Sequence, residues 1–329
     1  MSIEDIKKKL SSSLVEQLIN EPSAHYVHIL LLRELQSSAI FTTNGQDADI
    51  ATVGIGAEDG LVDYSPVMMF KRKQTGSDRR KGKELQRNLT GIEDTMNVNE
   101  MTQDSPESIL YGSAAGEEAI SVTSRVMYDT AYSIRDSSAI VEEKFQNAPG
   151  DQFAKGATTA IREPDFIVPG TVFPCVVTLR DATFNELVFV LGITKMNKRY
   201  GAATSRIGRI ENHVLGIYYG IEEGPANLIL SQEVARRLAM ENGGMTSESL
   251  NKVLYSPVLD IAKVKKHVKK AFDDDIEDLN VEALTDEETD KLLGYVTSES
   301  LKESLERQRV LSSQFFEEVN GEKKGRGKK

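Results

Sequence analysis

The sequence predicts an α+β protein, and two observations carry that prediction. Extended, β-branched segments dominate the first two thirds of the 329 residues, and helix-period apolar spacing takes over in the last third. No strict β-α-β alternation runs along the chain, so a doubly wound parallel sheet is not expected.

The elements follow in order. Over residues 2–20, Ile3, Ile6, Leu10, Leu14 and Leu18 recur at helical spacing behind Ser2 as a cap, and Glu21-Pro22-Ser23 ends the helix. Tyr26 to Leu35 is a compact apolar run suited to a buried first strand, with Ala39 to Thr43 extending it before the turn residues Asn44 to Asp47. Residues 90–108 are polar and read as a surface insertion, and residues 145–171 read as a long irregular excursion rich in Pro and Gly. Three strands are then expected: Thr171 to Leu179, Thr183 to Gly192 and Val214 to Tyr219. Helices are expected over Leu228–Met240, Val258–Phe272 and Glu287–Val319, the second carrying five lysines. The last residues, 321–329, are basic, Gly-rich and expected to be disordered.

Composition excludes several classes. No stretch approaches the ~20 consecutive apolar residues of a membrane span, and the N-terminus lacks the basic-then-apolar layout of a signal peptide. A single cysteine, Cys175, rules out a disulfide framework and fits a reduced, cytoplasmic protein. Gly54 to Gly60 approximates a dinucleotide fingerprint, but the third glycine is one residue late and no helix pattern follows; a glycine-rich turn between strands is the better reading. Gly76 to Lys83 approximates a P-loop, but Glu84 stands where a Mg²⁺-binding hydroxyl is needed. The four histidines and Cys175 have no zinc-ligand spacing, so no metal or other cofactor is expected. Asp47 and Asp49, in the loop after the first strand, are the remaining catalytic candidates, as metal holders or activators of a ribose hydroxyl.

The net charge of −11 argues at first against a nucleic-acid binder. Its distribution reverses that reading. Residues 271–320 hold fifteen acidic and four basic side chains, which accounts for the whole net charge. Two other segments are strongly basic, and a polyanion responds to potential within a ~10 Å Debye length rather than to a whole-chain average. The first segment, Lys71 to Arg87, offers Lys71, Arg72, Lys73, Gln74, Arg79, Arg80, Lys83 and Arg87; Lys71 to Lys73 are expected on a strand, with a turn at Gly76-Ser77-Asp78 and a short helix from Glu84. The second, Lys195 to His213, interleaves Lys195, Lys198, Arg199, Arg206 and Arg209 with Tyr200, Gly201 and Gly208 and ends on His213. Cations neutralise phosphates, glycines admit a close backbone approach, and Tyr200 offers a ring to a base. Two such runs joined to expected strands favour a polyanion-binding surface.

The segments Val67–Leu85, Ile109–Gly116, Val172–Gly192 and Lys198–Gly216, with Ala24 to Arg33 ahead of them, resemble the backbone subunit of subtype I-D CRISPR interference complexes, in the Cas-seven group of the repeat-associated RNA-binding superfamily. The resemblance covers about residues 24–220. It implies an RRM-like (ferredoxin-like) antiparallel palm over 24–224, with inserted lid and thumb segments at about 44–66 and 90–170. Residues 1–23 then form an N-terminal helix, 225–320 a helical region and 321–329 a tail. It further implies a non-catalytic subunit that binds crRNA, assembles with copies of itself along the guide, and presents it to target nucleic acid in antiviral defence. The other partners implied are a large subunit and subunits of the Cas-five and Cas-six types. Lys71, Arg72, Lys73 and Gln74 are the first crRNA contacts it implies, followed by Lys198, Arg199, Tyr200 and Arg206, then Arg209 and His213. Members of this family can carry a cysteine cluster just before the block at Ile109; Thr90 to Ser108 has none, so that segment is expected to be metal-free and mobile. Related subunits that cut RNA use a loop aspartate after the first strand, which keeps a ruler-type nuclease as the alternative, alongside a stand-alone single-stranded RNA-binding protein.

Overall fold

The computed structural model describes residues 2–97, 100–114, 120–146, 161–202 and 207–326. It is an α+β fold built on one antiparallel six-stranded sheet. The strands are β1 (Tyr26–Leu35), β2 (Val126–Tyr128), β3 (Val172–Arg180), β4 (Arg199–Tyr200), β5 (Gly208–Gly220) and β6 (Val281–Ala283). Their order is β4-β5-β1-β3-β2, with β6 pairing the far end of β5. β1 lies centrally, in register with β3 from Tyr26↔Arg180 to Glu34↔Val172, and with β5 from Tyr26↔Gly220 to Leu35↔Ile210.

The helices are α1 (Ile3–Leu10), α2 (Lys71–Thr90), α3 (Phe184–Met196), α4 (Asn227–Glu241), α5 (Ser247–Leu254), α6 (Ile261–Asp275), α7 (Asp286–Tyr295) and α8 (Ser298–Arg326). They cover both faces of the sheet, and β1 displays the consequence. Its side chains alternate between two cores: Val27, Ile29 and Leu31 join α2, α3 and α8, while Leu30 and Leu32 join α4 and α6. Apolar residues on both faces, such as Ile29 to Leu32, are therefore what a strand in this position needs. Cys175 of β3 is buried opposite Leu31. The region from 44 to 66 contributes a hairpin, Val53–Ala57 with Gly60–Tyr64, so Gly54 and Gly56 lie within a strand and only Glu58 and Asp59 turn. Asp59 accepts the Ser247 N–H at 2.7 Å, tying this hairpin to the helical region.

Several expectations need correction. The N-terminal helix stops at Leu10, not at residue 20, because Ser11 turns back on it: the Ser11 hydroxyl donates to Lys8 O at 2.7 Å. Val15 then donates its N–H to Ala182 O, 3.0 Å away. Thr183 to Gly192 is not a strand but most of α3. This helix is apolar all round, with Leu187 to Leu191 all buried, so it carries no amphipathic period to read. A capping box starts it: Thr183 Oγ1 accepts the Glu186 N–H and Glu186 returns the bond to the Thr183 N–H, at 3.2 and 2.9 Å. The expected third strand is the second half of a longer β5. The expected helix 287–319 is two helices, separated where Thr297 caps Ser300 N–H at 3.3 Å. Helix α8 runs to Arg326, past the point where the tail was expected to begin; residues 327–329 lie outside the described residues. Much of the expected excursion, residues 147–160, also lies outside them, with Phe145–Gln146 and Ile161–Arg162 pairing on either side.

The segment 90–108 is not a simple surface insertion. It forms a short hairpin, Met96–Asn97 with Glu100–Met101, and its flanks are buried against α2. Lys83 Nζ lies between the carboxylates of Asp94 and Glu107, the second at 2.6 Å, and Arg79 Nε pairs with Glu107 at 2.7 Å. Gln86 and Ser105 complete the shell around Asp94, at 2.9 and 2.6 Å. Polar residues can be buried here because each of these charges has partners.

Candidate nucleic-acid interface

The first basic run is one continuous helix, α2, rather than strand, turn and helix. Its first turn holds Lys71, Arg72 and Lys73 and no acid, and Phe70 at its cap offers no side-chain bond. Cations at the positive end of a helix dipole are unfavourable by ~0.3–1 kcal/mol each, a cost that an anion bound there would remove. Lys71 and Arg72 are exposed. Arg72 donates to Thr43 Oγ1 at 2.5 Å and stacks over Phe70, 5.1 Å from its centroid. Lys73 is half-buried, donates to Thr42 O, and has its pKa lowered chiefly by that burial.

Further along α2, Arg80, Glu84 and Arg87 follow on one face at three- and four-residue spacing. The second basic run meets the helix here. Arg80, Lys81, Lys198, Arg199 and Ile207 line one cleft of about 310 Å³, floored by Ser77, Met196 and Asn197. A second cleft, of about 550 Å³, shares Arg80 and Glu84 with the first and is lined further by Lys83, Arg87, Glu93, Asp94, Met96 and Asn97. The two adjoin along α2 as a trough of mixed charge. In the β4–β5 ladder Arg199 and Arg209 are direct cross-strand partners and both are exposed. Like charges in that position are destabilising by themselves. Arg80, Lys81 and Arg87 of the first run and Lys198, Arg199 and Arg209 of the second thus lie at or beside these clefts, with Lys81 Nζ 2.5 Å from Glu84. Lys198 is paired with Glu211 at 2.6 Å.

Other expected contacts are engaged inside the fold. Tyr200 is fully buried and presents no ring to a base; its hydroxyl donates to Asp78 Oδ1 at 2.6 Å. Burial, first of all, pushes its pKa far up. Gln74 is buried and donates to Met69 O and Asp129 O at 3.0 and 2.9 Å. Lys83 and Arg79 belong to the Asp94–Glu107 cluster. Lys195 turns away to the end of α7, donating to Val296 O at 3.1 Å. His213 Nε2 sits 2.8 Å from Glu34, and Arg206 lies outside the described residues. Of the loop aspartates, Asp47 is paired with Arg162 at 2.8 Å, and Asp49 accepts the Thr43 hydroxyl at 2.8 Å. Among the described residues, no three His, Cys, Asp or Glu side chains are grouped to hold a metal.

Fold and site together define an α+β protein in which two basic segments distant in sequence line one surface cleft. Residues 13–309 match the model of the Csc2 CRISPR family, and the chain belongs to that family. The fold is similar to the crystal structure of Thermofilum pendens Csc2, with a TM-score of 0.60 and 17% identity over 95% of this chain and 96% of that one. A weaker similarity, with a TM-score of 0.48 and 11% identity over 79% of this chain and 86% of the other, is to a chain of a CRISPR RNA-guided surveillance complex. Comparison with curated proteins gives no match.

Proposed function

We propose that this protein is the crRNA-binding backbone subunit of a subtype I-D CRISPR interference complex, of the Cas-seven group, and that it acts as a scaffold rather than a nuclease. Copies line up along the guide, alongside a large subunit and Cas-five- and Cas-six-type subunits, and hold it for pairing with target nucleic acid. The reading places this assembly in the cytoplasm; among the described residues no helix is long and apolar enough to cross a membrane.

The observation that carries the proposal is the trough: Arg80 and Lys81 of α2 face Lys198 and Arg199, more than a hundred residues away in sequence. Cations without base-reading groups grip a backbone of any sequence, and pairing then supplies specificity. The strand order also supports an RRM-like palm. Taken in chain order, β1, β2, β3 and β5 lie as fourth-first-third-second, with α2 before β2 and α3 before β5, which is the split βαβ plan.

The test is salt-dependent binding of a labelled single-stranded RNA by the full chain, followed by native mass of the protein co-purified with its guide. Replacing Arg80, Lys81, Lys198 and Arg199 together by Ala should lower the slope of log K against log salt by about 2–3, at ~0.7 per phosphate contact. An unchanged slope removes the trough from consideration. A monomer that never multiplies along RNA removes the backbone assignment.

A further inference from the structure

We propose that Asp78 is the positioning residue of the trough: it holds the α2 wall against the β4 wall and so sets the spacing of their cations. The inference rests on the guide-binding reading and adds a part that touches no RNA.

Asp78 is one of two acids within the basic run and is buried. Its carboxylate gathers the structure beneath the trough. Oδ1 accepts the Tyr200 hydroxyl at 2.6 Å and the Asn197 amide at 2.7 Å; Oδ2 accepts the Tyr128 hydroxyl at 2.9 Å and lies 3.5 Å from Arg33 Nη2. Tyr200 and Asn197 flank Lys198 and Arg199, so two of these bonds grip the stretch that carries the far wall. Ser77, beside Asp78, donates its hydroxyl to Arg199 O and accepts from Asn197 Nδ2 at 3.2 Å. Asn212 of β5 ties the same stretch to the sheet, donating to Asn197 O at 3.0 Å and to the Tyr200 hydroxyl at 3.2 Å. Arg33 of β1 stacks on the Tyr200 ring, 4.7 Å from its centroid, and donates to Asn212 Oδ1 at 2.9 Å.

The trough needs such a device. Lys81 and Lys198 are paired with Glu84 and Glu211, but Arg80 and Arg199 face one another across the cleft as like charges, and without RNA they repel. β4 is two residues long and cannot resist that repulsion through its ladder alone. A carboxylate beneath both walls, held by three hydrogen bonds and an ion pair with Arg33, fixes their spacing. Buried hydrogen bonds are directional, so a network of them specifies geometry more tightly than apolar packing does. This explains why the tyrosine of the second basic segment points inward.

Tyr200→Phe is the decisive variant, because it removes one bond to Asp78 and keeps the ring under Arg33. Asp78→Asn is the stronger one, and it also deprives Arg33 of its counter-ion. Leu250→Ala, in the core on the other side of the sheet, serves as a destabilised control. Each full-length protein is titrated with fluorescein-labelled single-stranded oligouridylate across a salt series, with thermal midpoints measured alongside. Tyr200→Phe is expected to bind five- to tenfold more weakly, with a salt slope lower by about 0.7, one phosphate contact. Leu250→Ala is expected to lose more thermal stability and to keep both affinity and slope. Wild-type binding by Tyr200→Phe overturns the positioning role alone, as does an affinity loss in Leu250→Ala that tracks its thermal midpoint. Failure of the wild-type protein to bind the oligonucleotide overturns the guide-binding reading and this inference together.

Discussion

Lys83 separates a structural lysine from an RNA-contacting one. Its side chain is 4% exposed and its ammonium is shared by Asp94 and Glu107, so Lys83→Ala leaves two buried carboxylates with one cation fewer. Breaking a buried pair from one side costs ~3–5 kcal/mol. The lower end applies here, because Glu107 keeps Arg79 at 2.7 Å and Asp94 keeps hydrogen bonds from Gln86 and Ser105. A loss of about 3 kcal/mol is a large share of the ~5–15 kcal/mol that holds a domain folded. The chain has no Trp, so urea unfolding followed by far-UV circular dichroism is the assay. The midpoint should drop with the denaturant slope unchanged. The double variant Lys83→Met, Asp94→Asn should recover most of the loss, since Asp94 is then neutral and Glu107 keeps Arg79 as its cation. RNA affinity of folded Lys83→Ala should stay within twofold of wild type. A stability loss below ~1 kcal/mol, paired with a tenfold loss of RNA affinity, would refute the reasoning and return Lys83 to the surface.

Three further outcomes are expected. His28 is fully buried, with Nε2 donating to Glu222 O at 3.0 Å and Nδ1 2.9 Å from Thr178 Oγ1. Burial holds its folded pKa below 6.5, so its contribution to stability is complete above 6.5 and is lost as pH falls from there through the folded pKa. Unfolding free energies measured from pH 7 to 5 should fall more steeply for wild type than for His28→Gln, by at most ~1.4 kcal/mol per pH unit; parallel curves would contradict the buried neutral imidazole. A Cβ at Gly192 would overlap the Leu301 side chain, so Gly192→Ala should cost ~1–3 kcal/mol by overpacking, and Leu301→Ala in the same chain should relieve part of it in a double-mutant cycle. Wild type, Asp47→Ala and Asp49→Ala should all leave target RNA intact in assembled complex with Mg²⁺; regularly spaced products from wild type that either variant abolishes would make this a nuclease.

How far the sequence could be read depended on where each segment's partners lie. Tyr26–Leu35 was legible to the residue because a strand covered on both faces is mostly apolar, here interrupted by His28, Arg33 and Glu34. The polar α2 was not legible. Its inward positions include Gln74, Ser77, Asp78, Lys83 and Gln86, which belong to an interior only because distant residues such as Tyr128, Asn197, Asp94 and Glu107 meet them. The same reason turned Tyr200, Gln74, Arg79 and Lys83 from expected contacts into internal fasteners. α3 was misread for the opposite reason, as it is apolar on every side, although Thr183 and Glu186 at capping-box spacing were a usable sign of a helix start. The convergence of Arg80 with Arg199 rested on a charge count alone, which locates cationic segments but does not locate their walls.

The lone thiol has a practical use. Cys175 is buried between the central strands, and burial raises its pKa further, which leaves little reactive thiolate at neutral pH. A cysteine introduced at an exposed position away from the trough, such as Val258, would therefore be the group that a maleimide dye finds, with the native residue left in place. One such substitution would give singly labelled subunits, and fluorescence transfer between dyes would then report whether copies of the protein sit side by side on RNA, and at what spacing.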